Sequence, residues 1–89
     1  MVREVVIHNE SGLHARPATL FVYNARKFES KIAIEKEGKQ VNGKSVLLVL
    51  SLGIAKGTKI KIMANGSDEE KALSTLINLI ENDFISAGI

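Results

Sequence analysis

A chain of 89 residues can bury one small core and no second, so any functional group must work within a single domain spanning 1–89, and a large enclosed cleft is excluded. Twelve basic residues against ten acidic ones give a net charge of +2 with no cluster, which argues against a nucleic-acid surface. The absence of cysteine removes disulfides and thiolate metal sites, and without a secretory apolar segment the expected compartment is the cytoplasm. The longest apolar run, Val46–Leu50, is far below membrane-spanning length.

From the N-terminus, Arg3–His8 is predicted as a first strand, with Val5 and Ile7 facing inward in a β-branched run. A loop follows at Asn9–Gly12. Ala18, Phe21, Val22, Ala25 and Phe28 recur at helical spacing and predict a helix from about Ala15 to Lys27. Ile32 and Ile34 alternate with Ala33 and Glu35, Glu37–Gly38 offers a turn, and Lys39–Val41 returns, which makes a short hairpin. After Asn42–Gly43, Ser45–Leu52 reads as a short apolar helix with Ser45 as N-cap and Gly53 as its stop. Ile60, Ile62 and Ala64 alternate with Lys59, Lys61 and Met63 as a fourth strand, ended by Asn65–Gly66. Ser67 and Glu70 have capping-box spacing, and Leu73, Leu76, Ile77, Ile80 and Phe84 line one face of a last helix.

The order is β-α-β-β-α-β-α. Alternating rather than continuously apolar strands predict one sheet face against helices and one against water. The expected fold is α+β, a two-layer open-faced sandwich with a four-stranded antiparallel sheet covered on one face by three helices.

Within this order Ser11–Ala18, SGLHARPA, places one of only two histidines where a loop becomes a helix. A helix start presents unpaired N–H groups and a partial positive charge, a ready anion site. Pro17 removes no intrahelical bond in the first turn and restricts Arg16 before it, and Arg16 adds a guanidinium fork matched to phosphate oxygens. Phosphoryl transfer needs positioning and charge stabilisation more than a deep pocket, so a small domain is suited to carrying a phosphoryl group on His14. The competing reading is that His14 merely caps the helix and Arg16 is solvated.

Gly12–Ala18, G-L-H-A-R-P-A, resembles the phosphorylation-site signature of the HPr family, the histidine phosphocarriers of the bacterial phosphoenolpyruvate sugar phosphotransferase system. G-K-S at Gly43–Ser45 and S-L-G-I-A-K-G at Ser51–Gly57 resemble its second block, and the similarity runs from the first strand to about Phe84. The resemblance implies that His14 receives a phosphoryl group on Nδ1 from phosphorylated enzyme I and passes it to a histidine of sugar-specific enzyme IIA proteins. Ala15, Arg16 and Pro17 would form the phosphate-binding turn, Pro17 as its structural member. No metal or organic cofactor is implied, since magnesium and phosphoenolpyruvate are used by enzyme I.

Ser45 matches the family's regulatory serine, the target of HPr kinase/phosphorylase, although N-capping alone also accounts for a serine there. A two-turn helix cannot bury all of Val46–Leu50. Leu47 and Leu48 are therefore expected to stay exposed as a partner-docking patch, with Val46, Val49 and Leu50 in the core. Kinase-regulated relatives often carry methionines and a glycine here. Their absence reduces adaptable surface for a catabolite-control transcription regulator and leaves docking of enzyme I intact. His8 and Glu10 make too sparse a pair for a metal, and Lys56, Lys59 and Lys61 read as a solvated face. The expected state is a monomer without membrane or nucleic-acid partners, and Met1 suggests a free protein rather than an excised domain. The rival to a carrier is a regulatory paralogue acting by protein–protein interaction, but such relatives have typically lost the histidine that this chain retains.

Overall fold

In the computed structural model, which describes residues 1–84, alternating apolar positions decide which face of each strand meets the helices. The elements are β1 (Val2–Val6), α1 (Ala15–Ala25), β2 (Lys31–Lys36), β3 (Lys39–Asn42), α2 (Val46–Ser51), β4 (Lys59–Asn65) and α3 (Glu69–Glu81). They build one antiparallel sheet in the order β1-β4-β2-β3. Its register stacks Val5 beside Ile60, Ile32 beside Ala64 and Ile34 beside both Ile62 and Val41. These residues close against Phe21 of α1, Val49 of α2 and Leu76 and Ile80 of α3, all fully buried, each side chain contributing roughly 1.5–3 kcal/mol by leaving water. On the opposite sheet face charges alternate in one row, where Lys61 lies between Glu4 and Glu35 across three strands. The expected α+β sandwich is the observed one.

Element ends differ from the periodicity in informative ways. β1 stops at Val6, yet Ile7 stays fully buried because its N–H donates to Thr58 O at 3.0 Å and its carbonyl accepts from Gly57 at 2.7 Å. α1 ends at Ala25, where the N–H groups of Lys27 and Phe28 turn to carbonyls three residues back, tightening the last turn. Phe28 still packs on the core from just outside the helix.

The last helix departs most. Asp68, not Ser67, is its N-cap, and no side-chain cap bond forms there. Asp68 instead reaches across to the chain before β2, accepting from the N–H of Glu29 at 2.9 Å, the N–H of Ser30 at 3.0 Å and the Ser30 hydroxyl. Glu69, not Glu70, accepts from the Gly66 N–H at 3.1 Å. At the far end Phe84 is buried but not helical. Asp83 at φ 52° ends α3 in the left-handed region, with the N–H of Phe84 bonding Leu79 O at 2.9 Å and that of Asp83 bonding Ile80 O at 3.0 Å. This is a Schellman closure with aspartate where glycine is usual.

The Asp68 clamp makes stability pH-dependent. The Ser30 hydroxyl, then the Glu29 amide, hold its carboxyl below the usual carboxylate range. A lowered folded-state value means stabilisation that is complete above the unfolded value of about 3.9 and is lost as pH falls through the lower folded value. Asp68→Asn is therefore expected to lower Tm at neutral pH, with the gap from wild type closing as thermal melts are repeated below about pH 4.

Candidate functional site

The loop before α1 is built against the chain that follows α2. Asn9 closes it from within, its side-chain amide donating to the Gly12 carbonyl and its own carbonyl accepting from Gly12 at 3.0 Å. Leu13 is buried, and its N–H donates to Ile54 O at 2.9 Å. Gly12 sits at φ +66°, and a Cβ there would stand 2.3 Å from the Ile54 carbonyl oxygen, so only glycine permits this approach. The next residue is thereby fixed where the chain turns into a helix.

That residue is His14. It is the N-cap of α1, in extended backbone geometry, and its ring makes no cap bond. Its carbonyl accepts the first intrahelical bond, from Ala18 at 2.9 Å, and its side chain is exposed. Without a capping oxygen, the N–H groups of Ala15 and Arg16 keep the unpaired state of a first helical turn. Pro17 has no N–H to leave unpaired and buries its ring, while Arg16 is exposed. His14 and Arg16 line one open groove of about 360 Å³, together with Asn9, Leu20, Asp83 and Phe84. The arrangement offers an accessible imidazole, a guanidinium and free helix-start donors to a single tetrahedral anion. The His14 ring makes no cap bond, so side-chain capping does not account for a histidine here, while Arg16 is exposed as the competing reading had it.

Sequence reasoning missed two carboxylates at this groove. Glu10 lines it and pairs with Lys56 at 2.9 Å, so Lys56 ties the loop before α1 to that before β4 rather than standing free. Both side chains are exposed and the pair is weak. Asp83 arrives through the Schellman turn, for which an Asn-Asp-Phe sequence gave no glycine signal. Glu10 shares no site with His8, which lies by Glu4, Lys59 and Glu81. Among the described residues no group of three or more His, Cys, Asp or Glu is placed to hold a metal ion.

Ser45 is the N-cap of α2, its hydroxyl accepting from Leu48 N–H at 3.2 Å. Arg26 Nε donates to Lys44 O at 3.0 Å, tying the end of α1 to the turn before α2, and Lys36 Nζ caps the far end at Leu52 O and Gly53 O, both at 3.0 Å. Leu47 is 79% exposed and Leu48 42%, whereas Val49 is buried and Val46 and Leu50 are half-buried against the core. The exposed pair and buried Val49 are as expected, whereas Val46 and Leu50, expected in the core, pack on its edge only partly buried.

Compared with known families, residues 1–82 match the PTS-HPr family, described as the PTS HPr component phosphorylation site. The chain belongs to the HPr family. An HPr-like protein Crh of Halalkalibacterium halodurans is 44% identical over 81 residues, 91% of this chain and 96% of that one. The crystal structure of HPr-C-His from Thermoanaerobacter tengcongensis superposes with a TM-score of 0.92 at 48% identity, covering 94% of both chains. HPr proteins are phosphocarriers of the phosphotransferase system, and this chain has their fold.

The expectation of a monomer is corrected by these relatives. An HPr from T. tengcongensis, 50% identical over 90% of this chain and 92% of its own, with a TM-score of 0.77, is a dimer. Crh of Bacillus subtilis, 40% identical over 91% of this chain and 93% of its own at a TM-score of 0.76, forms a dimer with a swapped domain. The physical reason is that strand alternation specifies register, not the copy that supplies each strand. No described helix is long and apolar enough to cross a membrane.

Proposed function

We propose that this HPr-family chain is a working phosphocarrier of the bacterial phosphoenolpyruvate sugar phosphotransferase system, with His14 as the residue that carries the group. The observation supporting this is an uncapped, exposed imidazole at the start of α1 that shares its groove with Arg16. In the transfer, the Nδ1 lone pair of neutral His14 attacks phosphorus, the N–P bond of phosphorylated enzyme I breaks, and the donor imidazole leaves with its electron pair. Arg16 and the N–H groups of Ala15 and Arg16 hold the phosphoryl oxygens, while Pro17 stiffens the turn. The reverse polarity passes the group to enzyme IIA. The whole chain acts as one cytoplasmic unit that carries a group without turning over a substrate.

Incubation with enzyme I and labelled phosphoenolpyruvate tests this directly. Stoichiometric, acid-labile label on the wild-type chain is expected. A chain that stays unlabelled, while a reference HPr in the same mixture is labelled, would return the protein to the regulatory class represented by its Crh relatives.

A second phosphorylation, on Ser45, is favoured by its position at the start of α2 beside exposed Leu47 and Leu48. Phosphate there suits the helix start but adds negative charge next to the apolar patch at which enzyme I would dock. With HPr kinase/phosphorylase and ATP, intact mass is expected to rise by one phosphate on wild type and not on Ser45→Ala. Wild-type chains that gain none would remove the regulatory role and, with it, the catabolite-control regulator as a partner.

A further inference from the structure

The helix-free face of the sheet holds a hollow of about 580 Å³, larger than the groove at His14. It exists because Ala33, on a central strand, lies in register between Met63 of β4 and Asn42 of β3, where a larger side chain would fill the surface. The floor is therefore apolar.

The rim offers donors. Lys31 and Lys44 stand at the same end on neighbouring segments, because the register that pairs Ala33 with Asn42 is carried on by Gly43 N–H donating to Ile32 O at 2.7 Å, and no carboxylate is among the described residues that line the hollow. Lys44 is fixed in place, its Nζ donating to Phe28 O at 2.6 Å, which uses one of three ammonium hydrogens and leaves two for a ligand. Asn42 is fixed as well, its Oδ1 accepting from Lys44 N–H at 2.9 Å, so the end of the amide left for a ligand is the donating one. Two ammonium groups and an oriented amide beside an apolar floor select a dianion with a hydrocarbon body.

We propose that this hollow binds a phosphate monoester with an apolar or aromatic body, the phosphate between Lys31 and Lys44 and the body over Ala33 and Met63. The site is separate from His14. Its lining residue Asn42 is one hydrogen bond from Ser45, whose N–H donates to Asn42 O at 3.3 Å.

Titration of the full chain with phenyl phosphate, followed by ¹H–¹⁵N NMR, tests the proposal, with inorganic phosphate and phenol as separate probes. Phenyl phosphate is expected to produce saturable shifts at the amides of Lys31, Ala33, Asn42, Lys44 and Met63. The two half-probes should act there at least about tenfold more weakly, because each engages only one part of the site. Lys31→Gln, which removes an exposed charge, and Ala33→Leu, which fills the hollow from the solvent side, should each weaken binding about tenfold or more. If Ala33→Leu loses the folded spectrum, Lys31→Gln decides alone. Shifts confined to the first turn of α1, shifts that never saturate, or wild-type affinity in a folded variant would each overturn the proposal.

Discussion

His14→Ala is expected to lose all acid-labile label from enzyme I and phosphoenolpyruvate while melting within a few degrees of wild type. The asymmetry follows from the geometry. The ring is exposed and caps nothing, so deleting it removes no capping bond, and an exposed substitution of this kind usually changes stability by less than about 0.5 kcal/mol. Transfer, in contrast, has no other imidazole to use, because His8 lies in a different surface cleft with Glu4, Lys59 and Glu81. Arg16→Ala should keep the acceptor and slow it. A hydrogen bond to a charged group contributes about 1.5–3 kcal/mol, and exposure places Arg16 near the lower figure, or roughly tenfold in transfer rate. Arg16→Lys should fall between, retaining charge but not the fork. Equal labelling of wild type and His14→Ala would remove His14 from the mechanism whatever the family.

The second large effect is structural. Gly12→Ala places a left-handed residue where its Cβ meets the Ile54 carbonyl oxygen at 2.3 Å, the same oxygen that accepts from Leu13 N–H at 2.9 Å. The left-handed conformation costs roughly 1–2 kcal/mol, and lifting the loop forfeits about 1 kcal/mol more with the hydrogen bond. At about 4–8 °C per kcal/mol for a domain of this size, Tm should fall by roughly 10–20 °C. Gly38→Ala is the control, at φ +82° with no atom within 4 Å of its added Cβ, so it bears the conformational cost alone. Gly12→Ala should also slow phosphoryl acceptance, since the loop it displaces sets His14, whereas Gly38→Ala should leave acceptance unchanged. Matching losses in both variants would show that contact with Ile54 does not position the site.

Period-two alternation in Val5, Ile7, Ile32, Ile34, Ile60 and Ile62, and helical spacing in α1 and α3, were enough to predict layers, element order and core, because burial on one face is a local property of the sequence. The division of Val46–Leu50 into buried and exposed sides followed from the same spacing, and SGLHARPA located His14 and Arg16 at a helix start. Tertiary structure alone decided where Asp68 spends its hydrogen bonds, since Glu29 and Ser30 are 39 and 38 residues away along the chain. It also decided that Asp83 and Phe84 fold back beside His14, and that Ala33 opens a hollow between Met63 and Asn42. Each depends on which distant segments meet, and periodicity carries no record of partners. The same limit explains the failed expectation of a monomer: a strand's pattern states how it pairs, and nothing in it states with which copy.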